Sequence, residues 1–163
     1  MILIEASIQA RFGRSLRRRA LAAFLRQAQE AIPLHGAIAV QLMTDAHIRR
    51  LNRTFRRKDQ PTDVLSFPAS DPPGPAAFAG DLAVSVETAA RQARALGHPL
   101  SVELQILALH GLLHLAGFDH EADSGAMARR EASLRRRFGL PASLIERNAT
   151  PAESRSRSRR RRP

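Results

Sequence analysis

The chain has 163 residues and a mass of 18.0 kDa, a length typical of one globular domain with a sizeable core. It contains no cysteine, which excludes a disulfide scaffold, a thiolate metal site and a cysteine nucleophile, while an apolar content of 44% excludes disorder throughout. The formal net charge is +11, and a compositional bias or an anionic partner such as nucleic acid would each account for it.

We expect a cytoplasmic protein without a membrane span. The most apolar stretch, Ile106 to Phe118, carries two histidines and is shorter than the roughly 20 residues that a spanning helix needs. At the N-terminus, Ile2, Leu3 and Ile4 precede the arginine cluster, which is the reverse of the order in a secretory signal.

The hydrophobic pattern of the first half predicts two strands that alternate with two helices. The predicted strands are Ile2–Ile8 and Ala37–Met43. The predicted helices are Ser15–Ala31 and Asp45–Phe55, and Thr44 is expected to cap the second.

The second half is predicted to hold two further strands followed by three helices. The strands are expected at Thr62–Phe67 and Asp81–Val86, with a proline-containing loop at 70–80 between them. The helices are expected at Glu87–Leu96, from Ser101 as the cap to about Ala116, and from Asp123 or Ser124 to about Phe138.

Four strands with helices before and after them predict a single α/β (α+β) domain with a mixed sheet of roughly four strands. The helix that follows Ser101 is apolar nearly all round and should be central to the core. It also carries His110 and His114 at the spacing of the zinc-protease pattern, which predicts a zincin-like central helix. The domain is expected to cover residues 1–150. Residues 151–163 are rich in arginine and serine, and we expect a disordered basic tail there that adds contacts to the phosphates of a nucleic acid without taking part in chemistry.

The sharpest chemical signal is a group of histidines. His110 and His114 are four residues apart on the predicted central helix, so both rings project from one face, and Gly117 then permits a turn that returns His120. Three neutral imidazoles leave one tetrahedral position open, which is typical of a catalytic zinc site, although imidazole also suits nickel or copper. The other histidines, His35, His47 and His98, are scattered and are assigned to surface or loop roles.

The spacing matches the extended zinc-protease pattern, but Gly111 stands where that pattern carries its catalytic glutamate. A peptidase would lack its general base, so the site must serve another reaction or use another base. Asp119 is the nearest carboxylate in sequence, and it is a candidate either for orienting a ligand imidazole or for acting as the base.

A run of basic residues, which includes Arg56, leads directly into the third predicted strand. Arginine presents a rigid fork of donors that suits phosphate oxygens. From charge alone, a solvated basic face is the favoured interpretation of this run.

The segments HGLLHLAGFDH, LNRTFRRKDQPTDVLSF and GDLAVS resemble the YbeY endoribonuclease family over roughly residues 40–138. The resemblance implies a zinc-dependent, single-strand-specific bacterial endoribonuclease that acts in ribosomal RNA maturation and ribosome quality control. It also implies that His110, His114 and His120 bind one Zn²⁺ ion and that Arg56 is functionally important. Phe118 departs from the family, in which tyrosine is common at that position, and the basic tail lies outside the family pattern.

Two alternatives stay open at this point. One is a non-catalytic ribosome-assembly factor whose metal holds the helix turn together, and the other is a metallopeptidase, which the missing glutamate disfavours. An open fourth coordination position would favour an enzyme, whereas coordination by a fourth protein group would favour the assembly factor.

Overall fold

The computed structural model describes residues 1–70, 78–120 and 122–141. The expected domain end at 150, the expected disorder of 151–163 and residues 71–77 of the predicted loop lie outside the described residues. Within the described ranges the elements follow one another as β1 (Ile2–Ile4), α1 (Ala6–Phe12), α2 (Arg18–Ala31), β2 (Ala37–Met43), α3 (Asp45–Arg56), β3 (Val64–Pro68), β4 (Phe78–Ser85), α4 (Val86–Leu96), α5 (Leu100–Leu115) and α6 (Ala126–Arg137).

The four strands form one mixed sheet in the order β1-β2-β4-β3. Strands β1, β2 and β4 run parallel to one another, and β3 runs antiparallel to β4. The predicted fold class is therefore confirmed. Because β4 separates β2 from β3, β3 is an edge strand of this sheet.

Side chains that alternate along β4 divide the core between the two faces of the sheet. Leu82 and Val84 belong to the main core, which also contains α2 and α5, whereas Ala83 joins a smaller cluster with Ile48 of α3. Helix α5 packs against β3, β4, α2 and α4, and most of its residues are buried on all sides. The prediction of a central helix is thus confirmed.

The prediction of a strand over Ile2–Ile8 is wrong beyond Ile4. The backbone N–H of Glu5 still bonds to the carbonyl of Leu42, but the Glu5 carboxylate accepts the backbone N–H of Thr44 at 3.0 Å. This contact ties the end of β1 to the start of α3, and the chain then turns into α1, which no periodic signal had indicated. Ile8 is fully buried as a residue of α1.

The remaining elements form as predicted, with shifted ends. Strand β4 begins at Phe78, so the prediction of a loop as far as residue 80 is wrong, and Gly80 pairs with Pro68 in the sheet. Gly80 has a φ of +145°, and a Cβ there would lie 2.4 Å from the Phe67 carbonyl oxygen, so glycine is required where the two strands approach.

Two predicted helix starts are also displaced. Helix α5 has Pro99 at its N-cap, so Ser101 lies inside the helix, and α6 begins at Ala126 after Gly125 in the left-handed conformation. The predicted Thr44 cap is confirmed, since its side chain accepts the backbone N–H of His47. None of the helices in the described ranges combines the length and the apolar character that a membrane span requires.

Candidate metal centre

The last two turns of α5 bring His110 and His114 together. Their Nε2 atoms lie 3.1 Å apart, and their ring centroids are separated by 4.8 Å. This proximity follows from the helix geometry, because residues four apart are neighbours on one face.

His120 completes the group after the chain reverses direction. Gly117 has a φ of +88°, a conformation that side chains disfavour, and it ends the helical path. The His120 ring then lies 5.3 Å from the rings of both His110 and His114. One nitrogen from each of the three histidines lies within 4.8 Å of the others, so the group could hold a metal ion.

A buried carboxylate sets the orientation of the His110 ring. Nδ1 of His110 lies 3.0 Å from Oε1 of Glu131 on α6, and Glu131 is only 1% exposed. An Nδ1–H that donates to this carboxylate leaves the lone pair of His110 Nε2 directed into the histidine group. A donor set of converging imidazoles, one of them held by a carboxylate, fits a borderline-soft divalent ion such as zinc.

The electrostatic surroundings favour neutral histidine at the centre of the group. Burial, followed by the charges of His110 and His120, lowers the pKa of His114 from 6.5 to about 4. His114 is therefore neutral at pH 7, which is the protonation state that a metal ligand needs.

Gly111 shows why the protease glutamate is missing. A Cβ at Gly111 would lie 2.7 Å from Cδ2 of Leu82, a fully buried side chain of β4, and 3.3 Å from Oγ of Ser66. The Ser66 hydroxyl also donates to the Gly111 carbonyl at 3.3 Å. Helix α5 thus meets the sheet at this residue, and a glutamate would have to displace core atoms. This packing argues against a metallopeptidase built on the same motif.

Two charged residues act on the histidine group from outside it. The positive charge of Arg56, at the end of α3, contributes to the lowered pKa of His114, whereas the negative charge of Asp119 opposes it. Arg56 therefore lies within electrostatic reach of the cluster although it is distant in sequence. Both expected roles of Asp119 stay predictions.

The three remaining histidines lie outside the histidine group and differ in exposure. His35 is exposed, and Nδ1 of His47 lies 3.6 Å from the Glu5 carboxylate. Nε2 of His98 lies 3.0 Å from a carboxylate oxygen of the fully buried Glu103, in poor alignment for a hydrogen bond. His98 is thus more enclosed than a surface role implies.

Sequence reasoning missed Glu131. A signal for it exists in α6, where Met127, Glu131 and Leu134 are the buried residues and share one face at helical spacing. An acidic residue on the apolar stripe of an arginine-rich helix indicates a buried partner.

Together, the mixed sheet and the histidine group at the end of its central helix define an α+β protein with three histidines that could hold a metal ion. The chain belongs to the YbeY family, since the family model described as "Endoribonuclease YbeY" matches residues 5–139.

Individual relatives agree with this assignment. An endoribonuclease YbeY of Koribacter versatilis is 47% identical over 141 residues, which cover 86% of this chain and 90% of the relative. The one of Solibacter usitatus is 47% identical over 133 residues, which cover 82% and 87%. The solution structure of a Thermotoga maritima protein is similar with a TM-score of 0.56 and 28% identity, and the match covers 85% of this chain and 90% of that one.

Proposed function

We propose that this protein is a metal-dependent endoribonuclease that cuts single-stranded RNA. The observation that carries the proposal is the convergence of three imidazoles within 4.8 Å, at a helix position where the protease carboxylate is replaced by a packed glycine. Membership of the endoribonuclease YbeY family supports an RNA substrate.

The metal ligands in this proposal are His110, His114 and His120, and the ion is one Zn²⁺. A zinc ion held by these three imidazoles would supply Lewis-acid chemistry, either by lowering the pKa of a bound water or by polarising a phosphoryl oxygen. The buried Glu131 keeps the His110 ring in the tautomer whose Nε2 points into the site.

Arg56 is proposed to bind the scissile phosphate. Its charge reaches His114, and the guanidinium fork matches two phosphate oxygens, so it can stabilise negative charge that grows in the transition state. Other cations of the same segment would hold the RNA backbone without reading its sequence.

The proposed setting is the bacterial cytoplasm, where the enzyme would act on ribosomal RNA and ribosomal particles during maturation and quality control. This part of the proposal is supported by the family assignment, together with a chain whose formal net charge is +11.

The test is an incubation of the purified protein with end-labelled single-stranded RNA and with the matching duplex. We expect cleavage of the single strand, loss of cleavage with a chelator and recovery on addition of zinc. His35→Ala, which changes an exposed histidine outside the group, should cleave like the wild type. RNA binding without cleavage under all conditions would contradict the proposal and support a non-catalytic assembly factor.

A further inference from the structure

We propose that Phe55 is a stacking platform for one nucleobase of the bound RNA strand. This inference rests on the proposed function and adds a base-binding subsite to it. The ligand is a single-stranded nucleic acid whose phosphates bind the neighbouring cations while one base lies on the exposed ring.

Phe55 is unusual in its exposure. It is 63% exposed, in a chain that buries most of its large apolar side chains. The residue lies on the last turn of α3, and its ring makes an edge-type contact with Phe67 of β3, with centroids 5.0 Å apart and planes at 67°. The contact restrains the ring on one side, which reduces the side-chain freedom that is lost when a base stacks on it.

The charge around the ring selects a nucleic acid over an apolar partner. Arg56, Arg57 and Lys58 follow Phe55 directly, and none of them forms an ion pair with a residue of the described ranges. The nearest carboxylate in sequence, Asp59, is already bound at both oxygens by Arg49, at 2.9 Å each. An exposed aromatic ring among uncompensated cations matches the combination by which proteins bind single strands.

The edge strand β3 connects this ring to the histidine group. Ser66 and Phe67 are consecutive and point to opposite faces of the sheet. Ser66 contacts the Gly111 carbonyl, in the helix turn between His110 and His114, whereas Phe67 contacts Phe55 on the other face. The stacking ring and the histidine group therefore lie on the two sides of one edge strand.

An RNA strand that crosses this edge can engage both sites. Its scissile phosphate would face the histidine group and Arg56, which follows Phe55 directly, while a flanking base would reach Phe55. Every base has a π-face, so this subsite would tolerate any sequence but would require an unpaired base. It thereby offers a physical reason for a preference for single strands.

The test compares affinities for a short 2′-O-methyl single strand, verified to stay intact, and for an abasic strand with the same phosphates. Phe55→Ala should weaken binding of the base-bearing strand about 5-fold or more and leave the abasic strand unchanged. Phe55→Tyr should bind like the wild type. Leu96→Ala is the matched control. Leu96 is 49% exposed and lies at the end of α4, near the start of α5, whereas the histidine group lies at the other end of α5.

Phe55→Leu keeps an apolar side chain against Phe67 and serves as a second variant in case Phe55→Ala is destabilised. Thermal melting of both variants checks their folding. An unchanged affinity in Phe55→Ala, or an equal loss on both strands, would overturn the stacking proposal. If the wild type neither bound nor cleaved single-stranded RNA, the proposed function itself would fail, and the two failures are thus distinguishable.

Discussion

Two polar clusters of this protein satisfy their polar groups in opposite ways. The cluster around Asp45, at the carboxyl ends of β2 and β4, is complete in itself. The Asp45 carboxylate accepts from the hydroxyls of Ser85 and Thr88, at 2.5 and 2.7 Å, and from Arg91 at 2.8 Å. Each donor has an acceptor, and the cluster joins the starts of α3 and α4.

The histidine group, at the end of α5 and in the turn that follows it, is not such a complete set of hydrogen-bond donors and acceptors. Two Nε2 atoms lie 3.1 Å apart, a third ring lies beside them, and Arg56 adds positive charge nearby. Three neutral imidazoles can satisfy only part of one another's hydrogen-bonding capacity, and their remaining lone pairs could bind a metal ion. The comparison teaches that a cluster of mutual partners supports the fold, whereas converging side chains that could hold an ion indicate the candidate site.

The largest effect is expected from His114→Ala. Loss of one of the three imidazoles leaves His110 and His120 as a poor pair of ligands, so we predict that stoichiometric metal and RNA cleavage are both lost. Elemental analysis of the purified variant measures the metal directly, with His35→Ala as the control. One tightly bound metal per chain in His114→Ala would show that the group has been assigned wrongly.

Arg56→Ala should lower the rate of RNA cleavage and leave metal binding unchanged. Removal of a single well-placed donor to transition-state charge typically lowers kcat by roughly 100- to 1,000-fold, and we expect at least a 10-fold loss of cleavage with normal folding and metal content. Arg50→Ala removes an exposed arginine from the same helix and should have little effect. If both variants cleaved equally well, Arg56 would be a solvated surface residue.

Glu131→Gln should weaken metal binding without abolishing it. Loss of a carboxylate that orients a ligand histidine typically costs about 10- to 100-fold in metal affinity. Competition with a chromophoric chelator measures this change, and thermal melting of the variant checks its fold. An unchanged affinity would mean that Glu131 has only a packing role beside His110.

The smallest effect on function is expected in the self-contained cluster. Asp45→Asn should lower the free energy of unfolding by roughly 1–3 kcal/mol, because the buried hydroxyl of Ser85 and the partly buried hydroxyl of Thr88 lose an ionised acceptor, and should leave metal content and cleavage unchanged. Denaturant unfolding and the cleavage assay together check this prediction. A large loss of activity in a folded variant would break the distinction between the two clusters.

The pH dependence of Asp45→Asn sharpens the same test. Burial raises the pKa of Asp45, but the hydrogen bonds from Ser85, Thr88 and Arg91 outweigh it and hold the pKa below 3.8. The stabilisation is therefore fully present above the unfolded pKa and is lost as the pH falls through the folded pKa. The stability gap between wild type and variant should be constant above about pH 5 and should shrink in more acidic solution.

Local patterns predicted the fold where a residue's neighbours in sequence decide its structure. Strand β2 and the Thr44 cap are where the sequence placed them, and the spacing of His110, His114 and His120 sufficed to place the histidine group. Helical periodicity and a single glycine turn act over a few residues, and both can be recognised without tertiary information.

Tertiary contacts determine the features that could not be predicted from the sequence. The end of β1 depends on the contact between Glu5 and Thr44, and the partner of His110 comes from Glu131, which is 21 residues further along the chain. The exposure of Phe55 could not be predicted either, because Ile48, Leu51 and Phe55 recur at a helical spacing that is typical of a buried stripe. In each case the deciding partner lies on another element.

X-ray absorption at the zinc edge of the purified protein tests the central claim most directly. We predict one zinc ion per chain with three imidazole nitrogens at about 2.0–2.1 Å and one further light atom that is exchanged by added anions. His120→Ala should reduce the imidazole contribution to two. A zinc ion fully coordinated by protein groups, or a purified active protein without metal, would contradict the account of a catalytic three-histidine site.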